Sequence, residues 1–271
     1  MRILSVFGTR PEAIKMAPVI LSLRKEPEIE SILCVTGQHR EMLDQALEIF
    51  RIKPDIDLNL MTPNQNLASI TSKILIAVTK VLKEVKPDFV LVHGDTTTAM
   101  ATSLSAFYEN IKVGHIEAGL RTFDLNSPFP EEFNRQFVGK IANLHFAPTL
   151  RNKKSLIDEG AKSNSVVVTG NTVIDSLLWV LNKIDSSLSK KQAVLAKLNA
   201  ELNFNFQRDR FILITAHRRE NVGKGITSIC KTIKALAKGF PEIKFIFPLH
   251  LNPKFKTIIL HNLNDEKNVH L

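Results

Sequence analysis

Three acidic side chains stand where apolar runs give way to polar turns. Asp95 lies in His93-Gly94-Asp95-Thr96-Thr97-Thr98, Glu117 in His115-Ile116-Glu117-Ala118-Gly119-Leu120-Arg121-Thr122, and Glu131 in Pro128-Phe129-Pro130-Glu131-Glu132-Phe133-Asn134-Arg135. Carboxyl groups held at one site can give and take protons at carbon or oxygen. Two cation-bearing segments could receive an anionic group: Gly8-Thr9-Arg10-Pro11-Glu12 with Lys15, and Thr215-Ala216-His217-Arg218-Arg219-Glu220-Asn221. Free amides at a helix start, with Arg10 or with His217 and Arg218, suit a phosphate.

Each segment also has a purely structural reading. Gly8 to Pro11 is an ordinary strand-to-helix turn with proline as the first helical residue. Asp95 or Thr96 caps a helix, and Asn221 another. Glu131 and Glu132 fit the positive end of a helix dipole. Glu117 paired with Arg121 would be a structural ion pair. The Glu117 segment leans most toward function. A strand end carrying His115, Glu117 and Arg121, with Gly119 freeing the backbone beside them, has little packing logic.

The elements that must position these groups alternate along the chain, short β-branched runs with longer amphipathic stretches, as βαβ units do. Strands are expected at 3–7, 31–36, 89–93, 113–117, 144–147 and 166–169, with helices at 11–24, 40–50, 67–86, 96–108, 131–141 and 150–159. The predicted fold class is α/β, two Rossmann-like domains facing a cleft, the second incomplete. Residues 1–170 form the first domain, 171–210 an interdomain helix and polar, Lys-rich linker, and 211–271 a partial second domain. The second holds strands at 211–215, 244–247 and 269–271. All five polar segments follow strand ends, where open α/β sheets bind ligands.

The charge balance of 36 Lys and Arg against 27 Asp and Glu gives +9. The basic residues are scattered among acidic ones and aromatics make up only 7%, so a phosphorylated small molecule is the expected partner, not nucleic acid. Cys34 and Cys230 lie in apolar segments and read as buried thiols of a reducing compartment. No run is long enough to cross a membrane, and the first apolar run is too short for a signal peptide, so the expectation is a soluble cytoplasmic protein. His93 with Asp95 and His115 with Glu117 resemble metal-ligand pairs, but no H-E-x-x-H or Cys–His spacing accompanies them, and no catalytic metal is expected.

The strings GTRPEAIKMAPV, TGQHREML, VHGDTTT, GHIEAGLRT, PFPEEFNR, VVVTGNTVID, TAHRREN and PLHLNP together resemble the non-hydrolysing UDP-N-acetylglucosamine 2-epimerases, across residues 1–271. The resemblance implies a GT-B-like pair of domains, usually in a homodimer. It also implies reversible conversion of UDP-N-acetylglucosamine to UDP-N-acetylmannosamine for surface polysaccharides, by elimination and re-addition of UDP, with no cofactor. It makes Asp95, Glu117 and Glu131 the acid/base group, sets His217 beside the UDP, and lines the phosphate side with Arg10 and Lys15. Some bacterial members bind a second, activating UDP-N-acetylglucosamine; the matching positions are Gln38, Glu132, Arg218 and His250. Members of the family continue beyond this length with a D-S-G-G-x-x-E-E segment that grips the nucleotide, so the chain alone is expected to be weakly active or inactive; the alternatives are a GT-B glycosyltransferase, which three carboxyl groups argue against, and a non-catalytic remnant that binds the UDP-sugar.

Overall fold

The computed structural model describes residues 1–37, 40–60, 65–216, 224–249 and 253–271. The chain folds into two compact units, Met1–Asn182 and Lys183–Leu271. The first is built on seven strands: β1 (Arg2–Phe7), β2 (Glu30–Val35), β3 (Ile56–Asp57), β4 (Phe89–His93), β5 (Lys112–Ile116), β6 (Leu144–Ala147) and β7 (Val166–Val168). They pair in parallel in the order β3-β2-β1-β4-β5-β6-β7. The order reverses between β1 and β4. A doubly wound sheet opens its ligand crevice at that point, beyond the carboxyl ends of the strands.

The strands read as continuous apolar runs because helices cover both faces of the sheet. Alternation along β1 sends Ile3 and Phe7 into one core, with α1 (Arg10–Leu23), α2 (Arg40–Phe50) and Trp179. It sends Leu4 and Val6 into the other, with α3 (Leu67–Val85) and α4 (Thr97–Tyr108). On α3 the buried residues Ile70, Ile74, Val78, Val81 and Leu82 recur at helical spacing and define the stripe that meets the sheet. On α4 the buried positions are small, including Ala99, Ala101, Ser105 and Ala106, which allows α3 and α4 to pack closely.

The remaining helices of this unit are α5 (Glu131–Ile141), α6 (Leu150–Asp158) and α7 (Thr172–Asp185). The first unit runs twelve residues past the boundary expected at residue 170, to Asn182, because α7 packs on it. Trp179 meets Phe50 with ring centroids 5.0 Å apart, and the Ser176 hydroxyl donates to the Ile14 carbonyl.

The second unit contains α8 (Leu188–Leu202), β8 (Phe211–Leu213), α9 (Lys224–Gly239), β9 (Lys244–Ile246), α10 (Pro253–Leu263) and β10 (Val269–His270). Its three strands are parallel in the order β10-β9-β8. Ile226, Cys230, Ile233, Phe247, Ile259 and Leu263 form its core. The segment expected to be a linker contains α8, capped at Ser187 and closed by Asn203 in the left-handed conformation.

Candidate active site

The turn from β1 into α1 is organised by Glu12. The spacing Thr9-x-x-Glu12 is a capping-box pattern, in which the acidic side chain reaches back to the backbone ahead of the helix. Its Oε2 accepts the Thr9 amide at 2.8 Å, the Thr9 hydroxyl at 2.7 Å and the Gly8 amide at 3.1 Å. Its Oε1 accepts the Thr96 hydroxyl at 2.7 Å. Thr96 in turn caps α4 by accepting the Ala99 amide. One buried carboxyl therefore ties together the two turns that flank the reversal point of the sheet. Burial raises its pKa, against the hydrogen bonds that favour its charged form.

Asp95 lies between Gly94, at φ +64°, and the cap Thr96. The Asn134 side chain of α5 donates to its backbone carbonyl at 2.9 Å, and Arg135 Nη2 lies 3.5 Å from its carboxylate. Burial raises the Asp95 pKa; Arg135 and Lys15 oppose that rise, while the nearby charges of Glu117 and Glu131 add to it. Asp95 is thus close enough to each of the other two carboxyl groups singled out in the sequence to feel its charge. Proximity of like charges is one of the two causes that hold Asp95 toward its protonated form.

Glu117 is the most heavily engaged of the three. Lys15 Nζ donates to its Oε1 at 2.7 Å and its Oε2 at 2.6 Å, and Asn171 Nδ2 donates to Oε2 at 2.7 Å. The strand ends at Ile116, and Glu117 sits just beyond it at φ +61°, a left-handed conformation unfavourable for a residue with a Cβ. Turn geometry, not strand alternation, therefore aims this side chain. It faces His93, whose Nε2 is 3.8 Å away. His115 instead bonds through Nε2 to the Gly94 carbonyl at 2.7 Å.

Arg121 pairs with Glu159, not with Glu117: Nε and Nη2 reach the two Glu159 oxygens at 2.6 and 2.9 Å. The ion pair with Glu117 left open by the sequence does not form because Lys15, on the first turns of α1, occupies that carboxylate. Lys15 consequently faces a catalytic candidate as well as the α1 turn expected to meet phosphate. Arg10 is exposed at the first residue of α1.

Glu131 and Glu132 occupy the first turn of α5. Glu132 is wholly buried, accepting the Thr122 and Phe123 amides at 3.0 Å each and the Gln136 side chain at 2.8 Å, with Arg135 Nε 3.2 Å away. Burial works against its ionisation, but these donors hold its carboxyl below the usual carboxylate range. Its place is as an anchor for the segment after β5. Gln38, His217, Arg218, Asn221 and His250 lie outside the described residues. Among the described residues, no group of three or more His, Cys, Asp or Glu side chains is arranged to hold a metal ion, and no helix is long and apolar enough to cross a membrane.

A family model described as UDP-N-acetylglucosamine 2-epimerase matches residues 21–271. The UDP-N-acetylglucosamine 2-epimerase of Neisseria meningitidis serogroup A is 54% identical over 273 residues, covering 100% of this chain and 72% of that protein. This chain belongs to the UDP-N-acetylglucosamine 2-epimerase family. The Campylobacter jejuni member is 48% identical, with 100% of this chain and 70% of that protein covered. The crystal structure of the Neisseria meningitidis enzyme bound to UDP-GlcNAc superposes with a TM-score of 0.92 at 54% identity, over 100% of this chain and 72% of that one. The Methanocaldococcus jannaschii enzyme in complex with UDP-GlcNAc and UDP gives 0.80 at 33% identity, over 99% and 72%.

Three residues of this family member have roles in the site that the sequence did not assign to them. Glu12 was legible from its capping-box spacing. Asn171 had no local signal beyond its place in the string VVVTGNTVID, and His93 was considered only as a metal ligand. Burial, followed by the charge of Lys15, pulls the His93 imidazole down to about 3. Burial likewise brings His115 to about 3, against its bond to the Gly94 carbonyl. Both rings are neutral at physiological pH, and His115 Nε2 carries the proton it donates to Gly94.

This has a testable consequence for stability. Below about pH 6.5 the unfolded chain takes up protons at these histidines while the folded chain does not, so each removes about 1.4 kcal/mol of stability per pH unit as pH falls. Burial of Glu12 and Asp95 acts in the opposite direction, since their folded forms hold protons more tightly. The histidine contribution is therefore read by difference. Denaturant unfolding of His115→Gln and wild type, compared between pH 7 and 5, should show a shallower acid loss in the variant; parallel curves would place His115 in a protonatable setting.

Proposed function

We propose that this chain epimerises UDP-N-acetylglucosamine at C2 to UDP-N-acetylmannosamine. The observation that carries the reading is the gathering of Asp95, Glu117 and Glu131 beyond the ends of β4 and β5, with Asp95 held toward its acid form and Glu117 beside Lys15. A hydrogen on C2 of the sugar is not next to a carbonyl, so direct enolisation is closed to it. Elimination solves this: a carboxylate removes the C2 proton as the C1–O bond to UDP breaks, leaving 2-acetamidoglucal and free UDP. Reprotonation of C2 from the opposite face by a second carboxyl group, with return of the UDP oxygen to C1, completes the inversion; it leaves the first carboxyl group protonated and the second ionised, and proton exchange with solvent resets the pair. Groups of different protonation state on one site suit that exchange.

The departing diphosphate needs cations, and His217, Arg218 and Arg10 are the residues we assign to it; Lys15 serves Glu117 as well. The same reading takes the protein to act in the cytoplasm as a homodimer, and Gln38, Glu132, Arg218 and His250 to border a second, activating nucleotide sugar.

The reaction is followed by incubating the protein with UDP-N-acetylglucosamine in deuterated water and observing C2 by NMR. Deuterium at C2 of both sugars, with UDP-N-acetylmannosamine appearing, is the expected result. Conversion that leaves protium at C2 would overturn the proton-transfer route.

A further inference from the structure

The string VVVTGNTVID is the one motif of the chain that the proposed reaction leaves without a role. Gly170, at φ +83°, turns the backbone after β7 and presents Asn171 one residue ahead of α7. The two ends of the Asn171 amide then do different things. Its Oδ1 accepts the Val173 amide at 3.0 Å, satisfying a free N–H at the start of the helix. Its Nδ2 donates to Glu117 Oε2 at 2.7 Å, across 54 residues of sequence.

Glu117 is held by two donor side chains, and they come from different places. Lys15 supplies charge from α1 to both oxygens. Asn171 supplies direction, from the first turn of the helix that carries the chain from Met1–Asn182 into Lys183–Leu271. An asparagine is suited to the position because it needs an acceptor for the helix and a neutral donor for the carboxylate on one short side chain. Aspartate has the first without the second, and brings a like charge.

We propose that Asn171 is a positioning residue for Glu117, tethering the carboxylate to the first turn of α7 so that its orientation follows that helix. The inference rests on the reading of Glu117 as an acid/base group. It also explains how a side chain on a strained, left-handed turn keeps one orientation: Lys15 holds both oxygens, and Asn171 adds a second donor at Oε2.

Asn171→Asp and Asn171→Ala separate this role from a structural one. Aspartate caps a helix as well as asparagine does, whereas alanine loses the cap. If Asn171 matters only as a cap, the Ala variant is the more damaged. If it positions Glu117, the Asp variant is the more damaged: kcat for deuterium incorporation at C2 falls about 10²-fold with KM little changed. The acid limb of its pH profile also moves to higher pH, because a donor is lost and a negative charge gained beside Glu117. An Asp variant with the wild-type rate and profile overturns the proposal.

A second readout is independent of turnover. In 15N-labelled protein, the Asn171 side-chain amide resonance should move in Glu117→Gln while the other asparagine amides stay in place; an unmoved resonance also overturns the tether. If that amide responds but the wild-type protein incorporates no deuterium, the tether stands and the proposed reaction is what fails.

Discussion

Replacing Glu117 by Gln should lower deuterium incorporation at C2 by about 10²- to 10⁴-fold, the range that a positioned acid or base contributes. The substitution keeps the length and volume of the side chain and removes only its capacity to exchange a proton. The carboxylate carries both contacts of Lys15 and the one from Asn171, and it sits in a left-handed turn maintained despite its conformational cost. Glutamine can still accept from one of these donors, but its NH2 group meets a donor at the other oxygen. Some stability is lost with the ion pair, so the measurement pairs exchange kinetics with unfolding followed by Trp179, the single tryptophan, which packs in the first unit. A folded Glu117→Gln protein that exchanges within tenfold of wild type removes Glu117 from the chemistry.

The second large effect is on stability. Gly119→Ala should destabilise the first unit by about 3 kcal/mol or more, combining the cost of a left-handed alanine with overpacking. Gly119 has φ +87°, and a Cβ built there would lie 2.3 Å from the Asn152 carbonyl oxygen, 2.9 Å from its carbon and 3.0 Å from Leu156 Cδ1. Two of those atoms are backbone of α6, which is anchored to this turn by Asn152 Nδ2 donating to the Gly119 carbonyl at 3.1 Å. Neither side can yield without moving the helix. Gly114→Ala is the comparison: its Cβ would meet Leu91 Cδ2 at 2.7 Å and Phe89 Cε1 at 2.9 Å, side-chain atoms with more room to shift than backbone. Trp179 fluorescence during denaturant unfolding should therefore show the larger fall in midpoint for Gly119→Ala. Equal midpoints for the two variants would contradict the close approach of α6 to the turn after β5.

Much of the scaffold behind these effects is written in local pattern. The bounds of α2 and α5 follow from the sequence to the residue, because each carries one apolar stripe between polar flanks. The strand before Asp95 was equally legible, since a parallel strand covered on both faces is an uninterrupted apolar run that stops where the chain leaves the core. The strand expected at 113–117 lies one residue earlier, at Lys112–Ile116, because the chain turns into the left-handed region at Glu117. Two elements left no such trace. Strand β3 is only two residues, Ile56–Asp57, made by pairing with β2 and not by its own composition. Helix α8 buries none of its residues, so no apolar period marks it within a Lys-rich stretch.

The sequence by itself determined the α/β class, the polar turns at the strand ends, and the three carboxyl side chains that the fold gathers there. Which partner each charged group takes was decided by tertiary structure alone. Lys15 meets Glu117 across 102 residues, Arg121 turns to Glu159 across 38, and Asn171 reaches Glu117 across 54. Local spacing governs backbone conformation through interactions a few residues apart, whereas an ion pair depends on strand order, register and the aim of a single turn, and these are settled only when the whole sheet packs.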